Sequence, residues 1–553
     1  MQKDIPYPFR SELSVTTFNN KYRHEGCESW YELARTLVED VCLELLPQDE
    51  KDELVEMISS MQFIPGGRYL YYAGRKKKFF NNCYLLRAEE DSREDWANLS
   101  WKSESCLLTG GGIGIDYSRY REAGSPIRST GGVASGPIPK MLMVNEIGRR
   151  VMQGGSRRSA VYASLLHSHP DVGEFLETKN WDRTVVPGTK LSLADVKRID
   201  YNWPAPLDGT NVSVNYDTDW LMNLIKTGDP GEVFRRNVEQ ALTTGEPGFS
   251  FNFFDKENET LRNACTEVSS CDDSDVCNLG SINLSRIGSI GHFSDVVALS
   301  TKFLLCGTLR ADLPYAKIAE VREKNRRLGL GLMGIHEWLI QKGKKYEVTR
   351  ELHDWLRVYK GVSDTVSRDF SYRLGVSTPV ANRAIAPTGT IGILAGTTTG
   401  IEPVYAIAYK RRYLTRGTQW KYQYHVDYVA HNLIEQGVDP DTIETSITLA
   451  GDYKKRIKFQ AEVQDYVDMG ISSTLNLPAL GVEGLDADRL KDFTTTLAHY
   501  APRLRGLTCY PDGARGGQPL NSVPYAEAVE HLGKELEENI EFNENCKEGI
   551  CGV

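Results

Sequence analysis

Apolar positions in the first sixty residues recur at helical spacing. From about 28 to 61, ESWYELARTLVEDVCLELLPQDEKDELVEMISSM places them on one face, and Pro47 divides the run in two. Two surface helices are expected there, after an extended lead-in over 1–25. From Pro65 onward the pattern changes. Short apolar runs (FFNNCYLL, GIGIDYS, NVSVN, LGLGLMG) alternate with helical stretches such as 217–228 and 351–374. That alternation predicts a large α/β body with many β-α crossovers. CNLGSINL, from Cys277, reads as a buried strand. Residues 182–209 are rich in Pro, Gly and charge and read as a long loop. The final ELEENIEFNENCKEGICGV is acidic and poor in apolar residues, and reads as a mobile tail.

Composition narrows the function classes. The net charge of −10 argues against a general polyanion-binding surface, so no nucleic-acid partner is expected. No apolar run approaches a membrane span, and MQKDIPYPFR has no apolar signal core. A cytoplasmic, reducing location with no membrane contact is expected. The eleven cysteines then read as free, catalytic or metal-bound rather than as structural disulfides.

The cysteine-bearing stretch RNACTEVSSCDDSDVCNLGSINL is the most unusual. Asn263 and Glu267 flank Cys265 at two residues on either side. In an extended segment all three share a face, which sets a thiol beside an amide and a carboxylate general base. The spacing of Cys265, Cys271 and Cys277 fits no common zinc pattern, and no metal site is expected. Cys271 reads as a bystander. Cys546 and Cys551 form half a zinc site, an incidental pair or a dithiol shuttle, and only the shuttle gives position and pairing a reason. TGGGIG at 109–114 lacks the third glycine of a dinucleotide fingerprint and reads as a tight turn or a weak phosphate cradle. In APTGTIGILAGTTTGIEP, Thr388, Gly389 and Thr390 precede a helix start. They suit a phosphate, with an unliganded Thr/Gly loop as the alternative. Arg157 and Arg158 in GGSRRSA are a solvated pair or phosphate contacts.

Taken in order, these stretches resemble the ribonucleotide reductase large (catalytic) subunit family. NNCYLL (81–86), GGGIGIDYSRYREAGSPI (110–127), NACTE (263–267), CNLGSINL (277–284), NRRLGLGLMG (325–334), APTGTIG (386–392), GLTCYPDGARGGQPL (506–520) and CKEGIC (546–551) follow the family's sequence from about residue 60 to the C-terminus. The resemblance implies a ten-stranded α/β barrel over 63–525 with Cys265 on a central finger loop. It also implies a helical region over 1–62 and a flexible redox-active tail over 526–553. Cys265 becomes a thiyl radical that removes the ribose 3′-hydrogen, Glu267 takes the 3′-OH proton and Asn263 holds the substrate. Cys83 and Cys277 supply the reducing equivalents and end as a disulfide, which Cys546 and Cys551 reduce before a thioredoxin- or glutaredoxin-like protein reduces the tail. Thr388, Gly389, Thr390 and Ile391 match the substrate-phosphate loop, and Asn82 and Gly112 match further substrate contacts.

Asp91, Ser92 and Arg119 match the site for a deoxynucleotide effector. Residues 116–127 resemble its first specificity loop, and 182–209 contains the second. A homodimer with effectors at its interface is implied. The stretch before residue 25 is too short for the ATP-binding cone of many members, so shut-off by dATP through such a domain is not expected. For the radical source, Tyr510 stands between Cys509 and Pro511 and has no tyrosine neighbour. GLTCYPDGARGGQPL instead resembles adenosylcobalamin-dependent members. The rival is a minimal catalytic subunit with Tyr510 on a radical path from a separate metal-containing, ferritin-like beta subunit. The glycyl-radical motif is absent. Diphosphate and triphosphate substrates are not distinguished. A reading of another class, an inactive nucleotide-binding homologue, has no reason to keep Asn263, Cys265, Glu267 and all four redox cysteines.

Overall fold

The computed structural model describes residues 5–128, 131–153, 157–200, 203–415, 419–480, 484–514 and 520–537. It divides into two compact units. The larger comprises 1–180, 206–404 and 444–514, and a ten-stranded sheet organises it. Its strands are β1 (Phe63–Pro65), β2 (Cys83–Arg87), β3 (Gly112–Asp116), β4 (Val161–Leu166), β5 (Thr210–Tyr216), β6 (Gly248–Phe251), β7 (Asp275–Asn283), β8 (Leu328–Met333), β9 (Thr474–Leu477) and β10 (Gly506–Pro511). The short apolar runs of the sequence are these strands.

β2 to β6 pair in parallel, each with the next. β7 pairs in parallel with β8, and β9 with β10. The two parallel halves meet at antiparallel seams, β2 against β7 and β6 against β10. Between β8 and β9 the pairing passes through residues 382–385. Leu330 N donates to Asn382 O at 3.0 Å, and Ile385 N donates to Gly470 O at 3.2 Å. All nine residues of β7 and all six of β8 are buried; β8 is apolar throughout, and the polar residues of β7 find buried partners, as where Asn278 Nδ2 donates to the Tyr69 hydroxyl at 2.6 Å.

Three helices precede the sheet: α1 (Glu12–Lys21), α2 (Trp30–Cys42) and α3 (Gln48–Ser59). Pro47 caps α3, as the sequence pattern requires. The expected extended lead-in is instead helix α1, whose inward positions are Ser14, Thr17 and Phe18. So small and polar a face carries little helical periodicity. The helix is fixed by tertiary contacts: Ser14 Oγ donates to Ile393 O at 2.8 Å, and Arg10 pairs with Glu337 at 2.7 Å. Phe18, Trp30, Leu33 and Leu37 share one core with Phe293, Leu304 and Trp355 of the barrel's helices.

The smaller unit comprises 181–205, 405–443 and 515–553. Its sheet has the order Leu520–Ser522, Ala408–Thr415, Gln419–Val426, Glu535–Glu537. The expected long loop at 182–209 contains a helix, Leu193–Ile199, started by a capping box between Ser192 and Asp195. Cys546 and Cys551 lie outside the described residues, so the tail reading has no structural account. No helix among the described residues is long and apolar enough to cross a membrane.

One buried cation closes the ring. Arg383 is fully buried and pairs with Asp364 and Asp468, each at 2.5 Å. It anchors the segment that bridges β8 and the approach to β9. Replacing it by methionine removes its charge-assisted hydrogen bonds to the partly exposed carboxylates of Asp364 and Asp468. Arg383→Met is expected to lower unfolding free energy by about 1.5–3 kcal/mol, measured by denaturant titration.

Candidate active site

The chain leaves β6 at Phe251 and returns at Asp275, and the excursion between them enters the barrel. Its stem is a short antiparallel hairpin, Leu261–Arg262 with Ser269–Ser270. Charge fixes its base. Thr260 Oγ1 donates to Asp116 at 2.5 Å, and Arg262 donates to Asn252 Oδ1 at 2.5 Å. Arg505 pairs with Glu259 at 3.1 Å and Arg327 with Asp275 at 2.6 Å.

The tip is a turn, not the extended segment expected from residue alternation. Thr266 N donates to Asn263 O at 3.0 Å, and Thr266 has φ +71°, a left-handed conformation that a β-branched residue adopts only when its surroundings impose it. Those surroundings are close backbone contacts. Gly470 N donates to Glu267 O at 2.6 Å. Asn211 Nδ2 donates to Ala264 O at 3.0 Å. The turn gathers Asn263, Cys265 and Glu267 differently from a strand, yet the three still converge.

Asn263 does two jobs. Its Oδ1 accepts from Val268 N at 2.9 Å and holds the turn. Its Nδ2 donates to Cys83 Sγ at 3.0 Å and so ties the finger to β2. Cys83 and Cys277 are direct cross-strand partners at the β2–β7 seam, 3% and 1% exposed and both free. Directly opposed residues of antiparallel strands lie at disulfide-forming separation. Cys265 is half-buried.

The electrostatics are those of a dry site. Burial, followed by the charge of Glu267, pushes the Cys83 thiol well above its usual range. Burial does the same to Cys277, with Asp275 adding to it. Glu267 is 1% exposed, and burial pushes its carboxyl up to about 7, against the opposing hydrogen bond from Asn263. The Glu267 Oε2 atom has no hydrogen-bond partner among the described residues. A buried carboxyl poised near neutrality with one oxygen unpartnered suits a general base.

Asn82 and Gly112 join this centre. Gly112 N donates to Asn82 O at 2.9 Å, and a Cβ on Gly112 would fall 3.2 Å from the Ala264 Cβ. Thr388 caps the helix Gly389–Ala395 at φ +48°, with its hydroxyl accepting from Gly400 N at 2.8 Å. The first-turn N–H groups of Gly389, Thr390 and Ile391 have no carbonyl partner within that helix. Lys21, which sequence reading passed over, donates to Thr390 Oγ1 at 3.3 Å from the end of α1.

The candidate effector residues form a second cluster. Ser92 caps the helix Arg93–Leu107, and Arg119 donates to Glu89 O at 2.8 Å. Asp91 pairs at 2.5 Å with Arg121, which the sequence had not singled out. Tyr510 is half-buried in β10, with Asn476 of β9 as its pairing partner. Arg121 falls in the stretch 116–127 already matched to a specificity loop, whereas nothing in the sequence signals Lys21, which acquires its neighbour through tertiary packing. Arg157 and Arg158 form a two-residue strand against Met152–Gln153.

Comparison with known proteins gives the family. The family model for the ribonucleotide reductase barrel domain matches residues 81–194, 214–354 and 380–501. A vitamin B12-dependent ribonucleoside-diphosphate reductase of Mycobacterium tuberculosis is 27% identical over 524 residues, covering 85% of this chain and 73% of its own length. A protein of the same description from Thermoplasma acidophilum is 27% identical over 520 residues, covering 84% of this chain and 66% of its own. Among solved structures, the Actinobacillus ureae class Id ribonucleotide reductase alpha subunit shares the fold at TM-score 0.71 and 17% identity, covering 92% of this chain and 99% of its own. With that match laid over a barrel that carries a thiol-tipped finger against a cysteine pair, the chain belongs to the ribonucleotide reductase family.

Proposed function

We propose that this chain is the catalytic subunit of an adenosylcobalamin-dependent reductase that converts ribonucleotides to 2′-deoxyribonucleotides. The observation that carries the reading is the seam: Cys83 and Cys277 face each other directly beneath the turn that brings Asn263, Cys265 and Glu267 together. Removing a ribose 2′-hydroxyl requires a radical, since acid–base chemistry alone does not activate the 3′ C–H bond.

In this reading Cys265, as a thiyl, takes the 3′-hydrogen atom. Glu267 accepts the 3′-OH proton. The 2′-OH leaves as water with a proton from one thiol of the Cys83/Cys277 pair, and the hydrogen of the other thiol goes to the 2′ carbon. The two sulfurs thereby give up two electrons and join as a disulfide, Glu267 returns its proton to the 3′ oxygen, and the hydrogen held by Cys265 returns to the 3′ carbon, which restores the thiyl. The raised thiol pKa values support these roles, because a protonated sulfur is a hydrogen donor. The phosphates lie at Thr388, Gly389, Thr390 and Ile391, with Asn82 and Gly112 beside the sugar. Cys546 and Cys551 reduce the disulfide by exchange, and a thioredoxin-like protein reduces them in turn. Asp91, Ser92 and Arg119, with Arg121, take a deoxynucleotide effector.

The relatives' vitamin B12 dependence supports adenosylcobalamin, and the site fits it at one atom. Cys265 is half-buried while Cys83 and Cys277 are buried, so among these three thiols it is the one most open to a radical source. When bound, the cofactor supplies an oxidising radical by homolysis of its cobalt–carbon bond. Tyr510, without an adjacent tyrosine, supports this source over a path from a metal-containing partner subunit.

Two outcomes are expected. Anaerobic assays of the purified chain with CDP or CTP, dithiothreitol and effectors yield deoxynucleotide only when adenosylcobalamin is present. Cys265→Ser abolishes that yield while nucleotide binding persists. Product without the cobalamin, or from the serine variant, contradicts the proposal. The second concerns pH. Glu267 must be ionised to accept a proton, so its raised pKa makes kcat/KM fall as pH drops through about 7. Glu267→Gln is expected to lower turnover roughly 10²–10⁴-fold and to remove that acid limb.

A further inference from the structure

Two hydrogen bonds from the barrel wall bracket Cys265 and Thr266. Gly470 N donates to Glu267 O at 2.6 Å, on the residue that follows them. Asn211 Nδ2 of β5 donates to Ala264 O at 3.0 Å, on the residue that precedes them. The first bond joins backbone to backbone, and no side-chain substitution removes it. The second depends on one amide.

The Ala264 carbonyl has few alternatives. Ala264 is 4% exposed, and among the described residues its oxygen accepts from no donor except Asn211. A Cβ on Gly112 of β3 would fall 3.2 Å from the Ala264 Cβ, so the peptide is packed on that side by atoms that offer it no hydrogen bond. Strand alternation places Asn211, Ser213 and Asn215 on one face of β5. Ser213 is 3% exposed and Asn215 is fully buried, whereas Asn211 is exposed. Asn211 is therefore the outermost of the row and meets the finger at its tip.

The turn it holds is strained. Thr266 has φ +71°, which a β-branched residue does not keep unaided. Asn263 ties the inside of the turn through Thr266 N and Val268 N, but both bonds lie within the finger and move with it. Asn211 is the side chain that ties the peptide next to the thiol to a rigid strand. Hydrogen-atom transfer needs the reacting atoms about 3–3.5 Å apart, and a displacement of roughly 1 Å costs about 100-fold in rate.

We propose that Asn211 is a positioning residue for Cys265, which rests on the reductase reading above. It acts through the Ala264 carbonyl: its amide fixes the peptide from which the thiol projects, and so sets where the sulfur stands relative to the ribose 3′ carbon.

The test uses the full chain with Asn211→Asp, which keeps the shape and removes the donor, Asn211→Ala, and Asn211→Gln, which keeps a donating amide on a longer arm. Turnover of CDP is measured with adenosylcobalamin, effector and dithiothreitol, CDP binding by calorimetry, and amide hydrogen exchange without ligands. The aspartate and alanine variants are expected to lower kcat roughly 10–100-fold while CDP affinity holds. Exchange at the amides of Thr266 and Val268 is expected to quicken about tenfold, the worth of one hydrogen bond, with exchange in β7 unchanged. The glutamine variant is expected to recover part of both. Should the aspartate variant fail to fold, the alanine variant carries the comparison. Unchanged kcat in both would overturn the proposal. So would a loss of CDP affinity that matches the loss of kcat, which marks a substrate contact, or a general rise in exchange across the barrel, which marks a structural role. Failure of the unaltered chain both to bind CDP and to turn it over would instead sink the reductase reading.

Discussion

The carbonyl of Arg262 lies so close to β3 that only a residue without a side chain fits at position 114. A Cβ there would fall 1.7 Å from that oxygen. Position 470 is constrained in the same way, at 2.7 Å from the carbonyl of Thr266. These two glycines admit a length of peptide between the strands of the sheet, a space otherwise filled by side chains. The strained turn, the reach of Asn263 to Cys83 and the placement of Cys265 all depend on that clearance. The carboxylate–guanidinium pairs at the stem then hold the finger at a fixed depth.

The chemistry of the tip follows from being dry. Burial keeps Cys83 and Cys277 protonated, and the nearby charge of Glu267 reinforces this at Cys83. A thiol in that state donates hydrogen and does not attack as a thiolate. Reduction of the resulting disulfide is a different reaction and needs a thiolate from elsewhere, the part proposed for Cys546 and Cys551. The same burial lifts Glu267 to about 7. Burial therefore accounts both for the raised thiols and for a carboxyl poised near neutrality.

Much of this was legible in the sequence, for identifiable reasons. The barrel strands are short apolar runs of the kind that only double-sided burial requires, and β7 and β8 stand out for that reason. The ordered motifs named the family, and the structure brings Cys83, Asn263, Cys265, Glu267 and Cys277 to one place. The turn at 263–266 was not legible: alternation suggested a strand, and the positive φ of Thr266 comes from packing against distant backbone. Helix α1 was hidden because its inward face is mostly Ser and Thr. The helix within 182–209 was masked by Pro and Gly on either side. Lys21 owes its significance to a neighbour far away in sequence, which no local pattern carries.

The most direct measurement is a single anaerobic turnover without external reductant, using a chain in which Cys546→Ser and Cys551→Ser prevent disulfide exchange. Product is quantified, and the cysteines are mapped by mass spectrometry of unreduced peptides. One deoxynucleotide per active chain, with a disulfide between the peptides carrying Cys83 and Cys277, is the expected result. Deoxynucleotide formed while both of those cysteines remain free thiols would contradict the assignment of the seam as the source of electrons.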